Sequence, residues 1–177
     1  MSGLNPKQHS LLSLGWVRIS GGRIDYSSRH HVLVHSAEAV GDSVIIHGLS
    51  DRHLAGAASP SRALSLLAHQ AASAVLVFHH AGLDLAFLQR CALQTFACPM
   101  PLPYVDTMML EKQRLERQGR TASLQLNLCR DRYGLPPALA HNAMSDAVAT
   151  AELFLAQCAY LGAGRGVCLG DLGLRVN

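Results

Sequence analysis

Residues 74–88 read AVLVFHHAGLDLAFL. The first five are a short, unbroken apolar run, the pattern of a strand buried on both faces. From Leu83 the apolar positions take a helical period that extends to about residue 93. Strand, turn and helix therefore follow within fifteen residues, and Asp84 falls at the helix start. Ligands of α/β sheets gather at the carboxyl ends of strands, where such an Asp can point into the crevice. Helix capping and first-turn electrostatics by themselves also explain an Asp there, and taken in isolation that is the commoner case.

The rest of the chain fits around this unit. Residues 10–19 (SLLSLGWVRI) read as a strand, Gly21-Gly22 as a hairpin turn and residues 23–34 as the returning strand. Val44-Ile45-Ile46 runs into His47-Gly48-Leu49-Ser50, where Ser50 and Asp51 suit a helix cap. Ser59 followed by Pro60 predicts an N-cap and first helical residue for a helix over 60–72, with Leu64, Leu67 and Ala68 on one face. Residues 98–103 carry three prolines and read as a loop. Tyr104-Val105 is a brief strand, and Asp106-Thr107 caps a helix to about residue 119. Residues 123–133 predict a helix closed by Gly134, with Pro136-Pro137 barring its continuation. Residues 142–161 form the longest amphipathic helix, and the Gly-rich tail beyond reads as loose. Strands first, then strand–helix alternation, predict an α/β sheet with an antiparallel hairpin at its start and parallel strands later.

With 177 residues the chain suits one domain; 49% apolar and 15% charged residues exclude disorder. No apolar run reaches the roughly 20 residues of a membrane-spanning helix. Nor does the start have the pattern of a secretory signal. Five cysteines, with no C-x-x-C pair, indicate neither a disulfide framework nor a zinc ribbon, so a cytoplasmic location is expected. Cys91, Cys129 and Cys158 read as small buried hydrophobes on helices. The net charge of +3 permits a nucleic-acid partner without demanding one. Residues 111–132 carry six basic and three acidic side chains, read as a solvated face laced with i,i+4 pairs rather than a phosphate track. The histidines of 30–35 alternate as on a strand with one polar face, so no zinc site is expected.

Residues 141–147 read HNAMSDA. Asp146 lies on the inward stripe of its helix among small apolar residues, where a carboxylate is costly unless paired or metal-bound. Within a regular helix His141 and Asp146 would diverge by about 140°. They can act together only if His141 lies in the preceding turn. The alternative is a capping His beside a solvated Asp.

Taken together, these segments resemble the DEDDh family of 3′–5′ exonucleases, which includes polymerase III proofreading subunits, ribonuclease T and oligoribonuclease. The family's second motif, roughly H-N-A-x-F-D-x-x-F-L, is matched by HHAGLDLAFL at 79–88, with His80 for the usual Asn and Leu83 for the usual Phe. Its third motif, H-x-A-x-x-D-A, is matched at 141–147. Val105-Asp106-Thr107, Ser123-Leu124, Tyr133-Gly134 and His47-Gly48-Leu49-Ser50 resemble further segments of it, in order, over residues 2 to about 157. The resemblance implies a ribonuclease H-like fold, a mixed sheet flanked by helices, over residues 1–161, with 162–177 as a tail. It also implies two divalent metals, Mg or Mn, held in part by Asp84 and Asp146, with His141 as general base. Ser2, Gly3, Leu4, His47, His80 and Leu83 would meet the terminal nucleotide of a single-stranded 3′ end. Homodimers occur among relatives. The tail shows no polymerase-binding motif, so polymerase association is not expected.

The family's first motif, D-x-E-T-T-G-L or D-x-E-M-S-G-L, has only its last residues here. Aligned on Gly3-Leu4, both carboxylates fall ahead of Met1, together with the central first strand. Two Asp residues alone provide little charge for two Mg²⁺ ions. Met1 is therefore expected to be an internal methionine of that motif, leaving this chain inactive or impaired. The alternative is a degenerate, non-catalytic remnant that binds nucleic acid or a partner.

Overall fold

The structure is a computed structural model that describes residues 1, 3, 5–35, 57–138, 142–163 and 165–177. The first strands are β1 (Ser13–Ser20) and β2 (Arg23–Leu33), an antiparallel hairpin turned by Gly21 and Gly22 at positive φ. A register shift between Trp16 and Arg18 marks a bulge in β1. Helix α1 (Pro60–Ala71) starts as the sequence predicts: Ser59 Oγ accepts from Arg62 N at 3.3 Å, and Pro60 opens the first turn. Its buried stripe is Ala63, Leu64, Leu67 and Ala71, with Leu64 and Leu67 as expected and Ala68 half-buried beside them.

Strand β3 (Leu76–Phe78) leads into α2 (Ala81–Phe96), and β4 (Pro103–Asp106) leads into α3 (Thr107–Arg117). β3 and β4 pair in parallel, Phe78 opposite Asp106, so both helices leave from the same edge. Alternation along β3 and β4 feeds both faces. Leu76, Phe78 and Tyr104 pack with Leu64, Leu67, Leu85 and Leu88 of α1 and α2. On the other face, Val75 and Val105 pack with Leu110 of α3 and with Phe154 and Cys158 of the long helix α5 (Ala143–Gly162). Covering both faces is what the apolar run at 74–78 requires.

Between α3 and α5 the chain makes one short helix, α4 (Leu126–Asp131), about half the length the sequence suggests. The reason is tertiary. Ser123 O accepts from Arg132 Nη2 (2.8 Å) and Leu124 O from His79 Nε2 (2.8 Å), so neither carbonyl is spent on a helical turn. α5 opens with a capping box: Asn142 Oδ1 accepts from Met144 N and Ser145 N, and Ser145 Oγ lies 3.3 Å from Asn142 N.

Two features depart from expectation. The Gly-rich tail is not loose: β5 (Arg175–Val176) pairs antiparallel with β4, Leu172 is buried, and Leu102 N donates to Asn177 Oδ1 at 2.7 Å. The strands also form two sheets, β1–β2 and β3–β4–β5, with no ladder joining them among the described residues. Helix α5 spans them, touching β1, β2 and β3. The central strand implied by the resemblance has no counterpart among the described residues, where residues 6–8 form a turn.

Candidate active site

Asp84 lies in the first turn of α2, just beyond the carboxyl end of β3. The turn between them places His80 at φ 73°, the left-handed region that Asn tolerates best and His accepts. His80 caps α2 without a side-chain bond of its own. The Asp106 carboxylate, at the end of β4, supplies the missing acceptors. Oδ1 accepts from His80 N (3.0 Å) and Met108 N (2.9 Å), and Oδ2 accepts from Ala81 N (2.9 Å). One side chain thus caps two helices. The hydroxyl of Thr107, fully buried, lies 3.0 Å from Phe78 O and 2.9 Å from His79 Nδ1, and can donate to either. Because Leu124 O can only accept, neutral His79 carries its proton on Nε2. Burial holds that imidazole below its usual pKa, favouring the neutral form.

Asp146 occupies the first turn of α5, its N–H bonded to Asn142 O. Gly15 of β1 lets that turn approach: a Cβ there would stand 2.6 Å from Met144 N and would meet Ala143 O as well. Asp84 lies within reach of the charges of both Asp106 and Asp146. Burial pushes the Asp84 carboxyl up to about 7, the Met1 ammonium opposes this, and the charges of Asp106 and Asp146 add to it. The Met1 ammonium is itself pushed down by burial, with Asp84 opposing.

The structure thus brings together Asp84 and Asp146, singled out in the sequence, and adds Asp106. In sequence Asp106 reads as a strand end and helix cap, and V-D-T carries no sign of its reach across to α2. Leu83 packs on the core around Leu85 and Leu88, and His80 is exposed at the start of α2. Gly3 lies beneath the His9 ring, a Cβ there falling 2.5 Å from it. Ser2, Leu4, His47 and His141 lie outside the described residues, as does the predicted cap at Ser50 and Asp51. Among the described residues no three His, Cys, Asp or Glu side chains are grouped to hold a metal ion. The donor chemistry nevertheless suits a hard divalent cation: two carboxylates, one of them buried and strained by like charge, gain from a cation between them.

The charged segment at 111–132 is only partly the solvated face expected. Lys112–Glu116 is such an exposed i,i+4 pair. Glu111, however, is 0% exposed and accepts from Arg114, Arg132 and Tyr133 at 2.6–3.2 Å. Arg130, 2% exposed, donates to Pro136 O, Ala149 O and Glu152. These charges serve the fold beneath the site.

A family model described as Exonuclease (RNase T) matches residues 1–154. The DNA polymerase III PolC-type protein of Thermotoga maritima is 29% identical over 154 residues, covering 87% of this chain and 11% of that protein. A DNA polymerase III subunit epsilon-like protein of Rhodobacter capsulatus is 30% identical over 148 residues, covering 82% of this chain and 20% of that protein. The chain therefore spans a tenth to a fifth of these relatives. Among solved structures, exonuclease X in complex with 5′ overhanging duplex DNA superposes with a TM-score of 0.72 at 20% identity, covering 97% of this chain and 92% of that one. Cell-death related nuclease 4 gives 0.63 at 15% identity, covering 75% and 50%. These superpositions establish the ribonuclease H-like fold, and with the family match over most of its length the chain belongs to the DnaQ-like exonuclease family.

Proposed function

We propose that this domain is a metal-dependent 3′–5′ exonuclease acting on nucleic-acid 3′ ends, with Asp84 and Asp146 as metal ligands. The observation that carries the reading is the placement of Asp84, just beyond the end of β3, within reach of the charges of Asp106 and Asp146; burial first, with those charges adding to it, pushes its carboxyl up to about 7. When bound, two divalent ions would supply an activated water and stabilise the leaving oxygen. The chain's own part is to hold Asp84 and Asp146 rigidly in first turns and to shed the Asp84 proton on binding. His141, neutral, is assigned the general base, and Gly3, His80 and Leu83, with Ser2, Leu4 and His47, the terminal nucleotide. The exonuclease X neighbour holds a 5′-overhanging duplex, so a recessed 3′ end joins single strands as a candidate substrate. No helix among the described residues is long and apolar enough to cross a membrane.

The family pattern's D-x-E carboxylates have no counterpart in residues 1–177. Efficient hydrolysis is therefore expected only when an apolar strand ending in D-x-E precedes Met1. The experiment compares residues 1–177 with such an extended form on a 3′-labelled strand in Mn²⁺. Release of mononucleotide by the extended form alone supports the reading. Equal activity in both refutes the need for the upstream pair, and a folded but inert extended form favours the non-catalytic alternative.

A further inference from the structure

We propose that Asp106 and Thr107 act as a positioning clasp that sets the place of Asp84; this rests on Asp84 being a metal ligand. The turn from β3 into α2 has no capping side chain of its own, and its first residue stands in the left-handed region. Helix starts leave N–H groups unpaired, and a helix end without partners frays. Besides the turn's own Leu83 N to His80 O bond and the His79 bond to Leu124 O, the bonds that fix the turn come from the neighbouring strand end. Asp106 takes the amides of His80 and Ala81, and Thr107 reaches the last carbonyl of β3 and the ring of His79. Both Asp106 oxygens are spent on backbone donors, one of them also holding Met108 N at the start of α3. Asp106 is thus a brace rather than a ligand. Parallel pairing of Phe78 with Asp106 puts the two helix starts side by side and makes one carboxylate sufficient for both. Residues that orient metal ligands from the outer shell are worth about 10–100-fold in metal affinity when altered.

The test reads amide hydrogen exchange at residues 80–85 together with Mn²⁺ affinity, followed by paramagnetic broadening of the same amides. Asp106→Ala is expected to accelerate exchange at His80 and Ala81 and to weaken Mn²⁺ binding about tenfold. Asp106→Asn keeps an oxygen for His80 and Met108 while losing the charge, and should recover most of the affinity. Asn as weak as Ala would show that only the charge matters, overturning the proposal. Thr107→Val, which changes no charge, should weaken binding and Thr107→Ser restore it. Unchanged affinity and exchange in Thr107→Val would also overturn it, even if Asp106→Ala fails to fold. Gln89→Ala removes a comparable bracket at the middle of α2, the paired bonds to Met100, and should lower Tm without changing Mn²⁺ affinity. Loss of affinity there would reduce the clasp to general stability. Mn²⁺ broadening that survives Asp84→Asn would instead sink the metal reading, while the exchange data still decide the clasp.

Discussion

At the scale of single residues, two positions carry physical consequences that can be measured. Asp84 keeps its proton in the folded chain up to about pH 7, whereas in an unfolded chain it is lost near 3.8. A raised carboxyl pKa favours folding at low pH, and that contribution disappears as pH rises from about 4 through 7. Asp84→Asn lacks it. The Tm of Asp84→Asn relative to the unaltered metal-free chain should therefore climb between pH 4 and pH 8, by the equivalent of at most a few kcal/mol. His79 titrates in the same window in the opposite sense, but it is common to both proteins and cancels in the difference. A pH-independent difference would contradict the raised value. Gly15 is the second position. Its added Cβ would strike the backbone of Ala143 and Met144, which cannot swing aside as a side chain can. Gly15→Ala should cost about 1–3 kcal/mol in denaturant melts and displace the first turn of α5 that holds Asp146. A neutral Gly15→Ala would mean that β1 and α5 do not meet closely.

At the scale of elements, local chemistry placed most starts well. Ser59-Pro60 and Asp106-Thr107 cap their helices as their residue types predict, whereas Asn142, expected inside the last helix, is its cap. The larger misses have one cause. Helix α4 is cut short because Ser123 and Leu124 give their carbonyls to Arg132 and His79, partners 9 and 45 residues away, which no window of sequence reveals. The same holds for Glu111, whose helical spacing to Arg114 reads as a surface pair while Arg132 and Tyr133 enclose it from α4 and the turn beyond. Arg114 also lies over the rings of Tyr133 and Tyr160. Three donors converge on a carboxylate with no solvent access, and together they hold its pKa below the usual value against burial. Glu111→Ala should lose about 3–5 kcal/mol in a chemical melt, because two guanidinium groups are left without their anion. A loss below about 1 kcal/mol, the range of exposed pairs, would show that the network is solvated after all.

For the whole molecule, the order and spacing of the motifs made the fold legible: two Asp residues at helix starts, a V-D-T strand end between them and a hairpin ahead of both. Tail docking was not legible, because glycine content suggests freedom and the pairing partner of β5 lies some 70 residues earlier on β4. Deleting residues 175–177 should lower Tm by a few degrees and speed exchange along β4, since Leu102 N and the β4 edge lose their partners. An unchanged melt would contradict a tail that closes the sheet. The two sheets are joined through α5, whose first turn carries Asp146. The decisive observation is the polarity of cleavage by the form that carries an upstream D-x-E segment. On a 5′-labelled strand with Mn²⁺, a ladder shortening stepwise from the 3′ end is expected, absent without metal and absent in Asp84→Asn and Asp146→Asn. Labelled mononucleotide released at once from the 5′ end, or a ladder undiminished in both variants, would contradict it.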